Sequence, residues 1–143
     1  MRKAFAALAT LLIPVVAVQF FLAASAAFDT APKDESFQMH RALGYVIVLY
    51  AILLTVLAAV ARMPGRLIGM TGLIAALGVG QGLIRAVAAA FNDAGDTSTT
   101  AGKLIFGLHA INGMAIFGVA ETVARRARAL STSRVTPRTQ PVS

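Results

Sequence analysis

Apolar residues fall into four long blocks, 4–28, 37–61, 67–91 and 101–123, separated by short polar stretches. Each block is close to the roughly 20 residues an α-helix needs to cross the hydrocarbon of a bilayer. The breaks carry turn and loop chemistry. Residues 29–38 are polar around Pro32, the second break reads Arg62-Met63-Pro64-Gly65-Arg66, and residues 92–100 are rich in Asp, Ser, Thr and Gly. A Pro-Gly pair marks a tight turn, so the second and third helices are antiparallel neighbours. A spanning segment must pair its own backbone groups, which selects helices. The pattern predicts an all-α, integral membrane up-down four-helix bundle over residues 1–128. Residues 129–143 are Ser-, Thr-, Arg- and Pro-rich without an apolar stripe, and are expected to form a disordered basic cytoplasmic tail.

Composition agrees with this reading and narrows the partners. The chain of 143 residues is 57% hydrophobic and 13% charged, and it has no cysteine. Disulfides, thiolate zinc sites, iron–sulfur clusters and covalent c-type haem attachment are therefore excluded. Four spans leave no length for a soluble domain. The net charge of +7 follows topology. Arg2, Lys3, Arg62, Arg66, Arg125, Arg126, Arg128, Arg134 and Arg138 fall on one side if the helices alternate. Lys33 and Lys103 fall on the other, with Asp29, Asp34, Glu35, Asp93 and Asp96. The positive-inside rule places both termini in the cytoplasm. The partner implied for the basic tail is anionic lipid of the bilayer, not nucleic acid.

The first block also reads as a signal peptide, since Ala24-Ser25-Ala26 fits a cleavage site. Its apolar run is longer than a signal core, so retention as the first helix is expected, with a kink at Pro14. The third block is rich in glycine, and Gly78 and Gly82 form a small-xxx-small pair suited to close helix contact or to a homo-oligomer or membrane-protein partner. Glu121 and Arg125 are spaced for an ion pair on one helix face.

Candidate chemistry lies in the polar residues within the apolar blocks. The two histidines of the chain, His40 and His109, each precede a glycine by four residues: His40-Arg-Ala-Leu-Gly44 and His109-Ala-Ile-Asn-Gly113. Residues at i and i+4 share a helix face, so each glycine leaves a notch beside an imidazole. The second and fourth helices run in the same direction. At about 1.5 Å per residue, His40 lies about 5 Å and His109 about 12 Å inside their outer ends, which allows the rings to be level. Gln19, Gln81 and Arg85 also lie in the outer half, whereas the inner half offers Thr55, Thr71 and little else polar. One b-type haem accounts for the pattern. His40 and His109 are its expected axial ligands, Gly44 and Gly113 clear space for the porphyrin, and Arg41 and Arg85 meet its propionates. Gln19, Gln81 or Asn112 serve as donors around the ligands. The competing reading has His40 at the membrane interface and His109 bonded to Gln19, Gln81 or Asn112 of a neighbouring helix. In that reading Arg85 snorkels to the surface.

The stretches 37–44, Phe-Gln-Met-His-Arg-Ala-Leu-Gly, and 108–113, Leu-His-Ala-Ile-Asn-Gly, resemble a small family of uncharacterised four-helix membrane proteins from high-GC actinobacteria, over about residues 1–128. More distantly, the chain is similar to one four-helix half of haem A synthase. Such halves place a His-Arg pair at the start of their second helix and a His in their fourth, flanking a haem on the outer side. His40-Arg41 and His109 match in order and helix number. The catalytic half of that family has a Glu three residues before His-Arg, where this chain has Phe37, so the resemblance implies a cofactor-binding half without oxidation of a haem methyl group. The functional expectation is a small membrane protein holding one haem b, with a cofactor-free membrane subunit or assembly factor as the alternative. A transporter lacks paired intramembrane carboxylates, and a hydrolase lacks any nucleophile–base pair.

Overall fold

The computed structural model describes residues 1–92 and 98–132. Its elements are α1 (Arg2–Phe28), α2 (Lys33–Ser36), α3 (Gln38–Val60), α4 (Gly65–Ala90) and α5 (Thr100–Thr132). Helices α1, α3, α4 and α5 correspond to the four expected spans, and each is long and apolar enough to cross a membrane. They form an up-down bundle in which α1 packs on α3 and α5, and α4 packs on the same two. The pairs α1/α4 and α3/α5 lie across the diagonals. The connection at residues 29–37, the end of α4 and the start of α5 share one end of the bundle, here the loop end. The other, terminal end carries Met1, the α3–α4 turn and the end of α5.

Two boundaries differ from expectation. The stretch before α3 folds as the separate turn α2, opened by Pro32, and Phe37 is the pivot between them. Helix α5 continues past Val123 to Thr132, so residues 129–132, expected in the tail, are helical. Alanine and arginine are strong helix formers, and Ala120, Ala124 and Ala127 continue a buried face at helical spacing. Arg128 extends this contact by donating from Nη1 to Thr10 Oγ1 at 3.2 Å. The rest of the expected tail, with Arg134 and Arg138, lies outside the described residues, as do Asp93 and Asp96. Helix α1 passes through Pro14 as one element.

The α3–α4 turn is a helix stop built from hydrogen bonds. Arg62 N–H donates to Ala59 O at 3.0 Å and Met63 N–H to Ala58 O at 2.9 Å, while Arg62 takes a left-handed φ of 50°. That is the paired closure of a Schellman motif, completed by burial of Met63 and followed by Pro64 at the start of α4.

The core is concentrated in the terminal half. Phe5, Leu12, Ala51, Leu67, Ile74, Ala120, Val123 and Ala127 are among its members, and it reaches no nearer the loop end than Val16, Ile47, Ile74 and Ile116. Thr55 and Thr71, two polar residues of this half, return their hydroxyls to carbonyls of their own helices. Gly78 lets α3 and α4 approach closely, because a Cβ there would stand 2.7 Å from Val48 Cγ2. Gly78 therefore packs inside the chain, whereas Gly82 has nothing within 4 Å.

Candidate functional site

Immediately beyond the core, toward the loop end, the bundle interior turns polar. Each of the four long helices contributes: Gln19 from α1, His40 from α3, Gln81 from α4, and His109 with Asn112 from α5, all half-buried. The two histidines lie on diagonal helices, and their ring centroids are 6.2 Å apart with planes tilted by 47°. The equal depth expected from the sequence is present. Each ring also has an aromatic neighbour three residues earlier on its own helix. Phe37 meets His40 edge-on at 5.8 Å, and Phe106 stacks parallel to His109 at 5.2 Å.

His40 is held by α1. Its Nδ1 donates to the Gln19 carbonyl at 3.1 Å. In return, Gln19 Nε2 donates to the His40 carbonyl at 2.9 Å and lies 3.4 Å from His40 Nε2. These contacts agree with one tautomer, protonated at Nδ1 with the Nε2 lone pair accepting. His109 is held less completely. It has the Gln81 backbone, His40 and Arg85 as electrostatic neighbours, but its Nδ1 is buried without a hydrogen-bond partner, as are Gln19 Oε1 and Gln81 Oε1. Asn112, one of the expected partners of His109, instead donates to Leu77 O at 2.8 Å and ties α5 to α4.

The glycine notches exist and are filled. A Cβ on Gly44 would meet Gln19 Nε2 at 3.3 Å, and one on Gly113 would meet Phe20 Cζ at 3.3 Å and Gln81 Nε2 at 3.4 Å. Of the two arginines expected at carboxylates, Arg41 is drawn into the connection. It donates to Asp34 O and pairs with the Asp34 carboxylate at 3.8 Å. A partner seven residues away wins over the bundle interior. Arg85 lines a cavity of about 230 Å³ between α4 and α5, together with Asn92, Lys103 and Phe106. Glu121 and Arg125 form the expected ion pair at 3.6 Å on the outside of α5. Among the described residues, no group of three or more His, Cys, Asp or Glu side chains converges.

Sequence reasoning missed Phe106 and the full length of the repeated motif. Phe37–Gly44 and Phe106–Gly113 both read Phe-x-x-His-x-x-x-Gly, so the signal was available at the residue three before each histidine.

Residues 19–90, half of the chain, match a family described as of unknown function, DUF6220. The match begins at Gln19, contains His40 and Gln81, and ends before the helix of His109. No curated protein and no solved structure matches the chain, and none of these comparisons supports the resemblance to one half of haem A synthase.

Proposed function

The chain belongs to DUF6220, a family that brings no assigned activity, and we propose from its own residues that it is a small integral membrane protein binding one b-type haem between α3 and α5. His40 and His109 would hold its iron. The observation that carries this reading is the meeting of the chain's two histidines across the bundle diagonal at 6.2 Å. Two ring nitrogens that share one metal at about 2 Å each stand about 4 Å apart, which puts the ring centres about 6 Å apart. His40 is prepared for this role. A ligating imidazole commonly gives its other N–H to a carbonyl, and His40 Nδ1 gives its own to Gln19 O. A haem held in this way supplies one-electron transfer at its iron. The chain's residues orient the imidazoles, exclude water through the dry terminal-half core, and present Arg85 at the loop end for a carboxylate. Gln19, Phe20 and Gln81 cover the ground beside Gly44 and Gly113, and they are the side chains that give way.

A second reading is favoured by that same filling. With Gln19 Nε2 at His40 Nε2 and both notches covered, the polar layer pairs helices without any cofactor, as in a membrane subunit or assembly factor. The charge pattern supports placing the basic terminal end in the cytoplasm and the histidine layer in the outer half of the membrane.

The test is a reduced-minus-oxidised absorption spectrum of the detergent-purified chain supplied with haem, beside His40→Ala and His109→Ala. A sharp b-type signal lost in both variants is the expected result. A flat spectrum from the native chain sinks the haem reading in favour of the cofactor-free one.

A further inference from the structure

The polar layer has a regularity that goes beyond the two histidines. In the first half of the chain, α1 supplies Gln19 and α3 supplies Phe37, His40 and Gly44. In the second half, α4 supplies Gln81 and α5 supplies Phe106, His109 and Gly113. The two glutamine amides meet the two glycines in the same way. The space over Gly44 is taken by Gln19 Nε2 at 3.3 Å, and that over Gly113 by Gln81 Nε2 at 3.4 Å. Each histidine carries its phenylalanine one turn earlier. In an up-down ring of helices, a twofold axis along the bundle exchanges α1 with α4 and α3 with α5. The two diagonals of the bundle are then the two exchanged pairs.

The correspondence is not complete: Phe20 of α1 also stands over Gly113, with no like contact at Gly44, and the two ring nitrogens differ. His40 Nδ1 donates to the backbone carbonyl of Gln19, whereas His109 Nδ1 is buried and unpartnered; the side-chain Oε1 of Gln81 is also buried and unpartnered, as is that of Gln19. His109 Nδ1 is a ring nitrogen that donates when protonated, and Gln81 Oε1 is a carbonyl oxygen that only accepts. A buried donor and a buried acceptor left unpaired on neighbouring residues are complementary, and a buried polar group left unpaired is costly.

We propose that the polar layer is one Gln–His unit present twice about a twofold axis, and that Gln81 is the positioning residue of His109 as Gln19 is of His40. Gln81 accepts from His109 Nδ1 through its side-chain Oε1, where Gln19 uses its backbone carbonyl, fixes its tautomer, and leaves Nε2 facing the axis. The ligand role of the histidines rests on the haem reading; the Gln81–His109 pairing does not.

Because the chain has two histidines, selective ¹⁵N labelling of histidine gives two resolvable imidazoles, assigned by His40→Ala and His109→Ala. The experiment uses the haem-free full chain in detergent, native and with Gln19→Leu or Gln81→Leu. Ring ¹⁵N shifts report which nitrogen carries the proton. Gln81→Leu is expected to change the tautomer ratio of His109 about fivefold, the weight of one hydrogen bond, and to leave His40 in place. Gln19→Leu removes the Nε2 beside His40 Nε2 but keeps the backbone carbonyl that accepts from His40 Nδ1, and is expected to shift the tautomer ratio of His40 through Nε2 and to leave His109 in place. Gly113→Ala and Gly44→Ala press on the same amides without removing them and are expected to move His109 and His40 respectively, which keeps the test decisive if a glutamine variant fails to fold. Unchanged His109 signals in Gln81→Leu and Gly113→Ala overturn the proposal, as does an equal response of both rings to either glutamine. Neither result depends on haem, so a flat haem spectrum with the expected shifts rejects the haem reading alone.

Discussion

Gly78 offers a measurement whose magnitude can be worked from one contact. A Cβ at residue 78 would stand 2.7 Å from Val48 Cγ2, 3.8 Å from its Cβ and 4.0 Å from its Cα. Carbon atoms pack comfortably at about 3.5–4.0 Å, so Gly78→Ala is about 1 Å short of room. Val48 cannot easily turn away, because a β-branched side chain in a helix has one strongly preferred rotamer. Overpacking of this kind costs about 1–3 kcal/mol, and replacing a helical glycine by alanine returns up to about 1 kcal/mol. Gly78→Ala is therefore expected to destabilise the bundle by about 1 kcal/mol. Gly82→Ala, one turn along the same helix with nothing within 4 Å, is expected to stabilise it by up to about 1 kcal/mol. The difference of about 2 kcal/mol is the quantity to measure, by titrating mixed micelles with a denaturing detergent and following helical circular dichroism, since the chain has no tryptophan. Adding Val48→Ala to Gly78→Ala should recover most of the loss as a coupling of about 1–2 kcal/mol. Equal stability of the two alanine variants, or no coupling to Val48, would refute the close approach of α3 and α4.

Arg62→Gly relieves the left-handed residue at the α3–α4 turn and should raise stability by about 1 kcal/mol in the same titration. Tyr50→Phe removes the hydroxyl that donates to Leu8 O at 2.9 Å between α3 and α1, and should cost about 0.6 kcal/mol, typical of such bonds in membranes. Thr99→Ala removes the oxygen that accepts from Gly102 N–H at 3.0 Å. It should cost about 1 kcal/mol and speed amide exchange in the first turn of α5 while leaving the last turn unchanged. A carboxyl-terminal reporter active only in the cytoplasm should be active when fused to the full chain; the opposite result would invert the placement of the histidine layer.

The four spans were legible because bilayer thickness fixes how long an apolar block must be, and each block shows it. The end of α5 was not, because hydropathy falls after Val123 while the helix persists on Ala124, Ala127 and the intervening arginines, which form helix without being apolar. The histidine pair was legible for a geometric reason: parallel helices make depth comparable from residue counts alone. The pairing of Arg41 with Asp34 was not legible, because residue counting does not see the turn α2 bring Asp34 back toward α3. The notches beside Gly44 and Gly113 were foreseen as space; what fills them is set by helix rotation, which a periodic sequence does not specify. That is why Gln19 and Gln81 entered the sequence reading as donors of unknown address, and Phe106 did not enter it.

The division of the bundle along its axis explains how so polar a layer is tolerated. In lipid there is no hydrophobic force to drive helix against helix, and contact depends on packing and hydrogen bonds. The terminal half supplies the packing, with Phe5, Leu12, Ile74 and Val123 buried among small residues. The four helices are thus fixed in register before the polar layer is reached. Beyond Val16, Ile47, Ile74 and Ile116 the layer does not have to hold the fold together, so it can keep buried atoms unpaired on Gln19, Gln81 and His109. Changes at core positions should therefore shift stability with little effect on histidine spectra, and changes at Gln19, Gln81, His40 or His109 should do the reverse. Gly78 lies at the boundary, one turn before Gln81, against Val48 one turn after Gly44. Widening α3 from α4 there should move both quantities together, which makes it the position where the separation of fold from site can be seen to end.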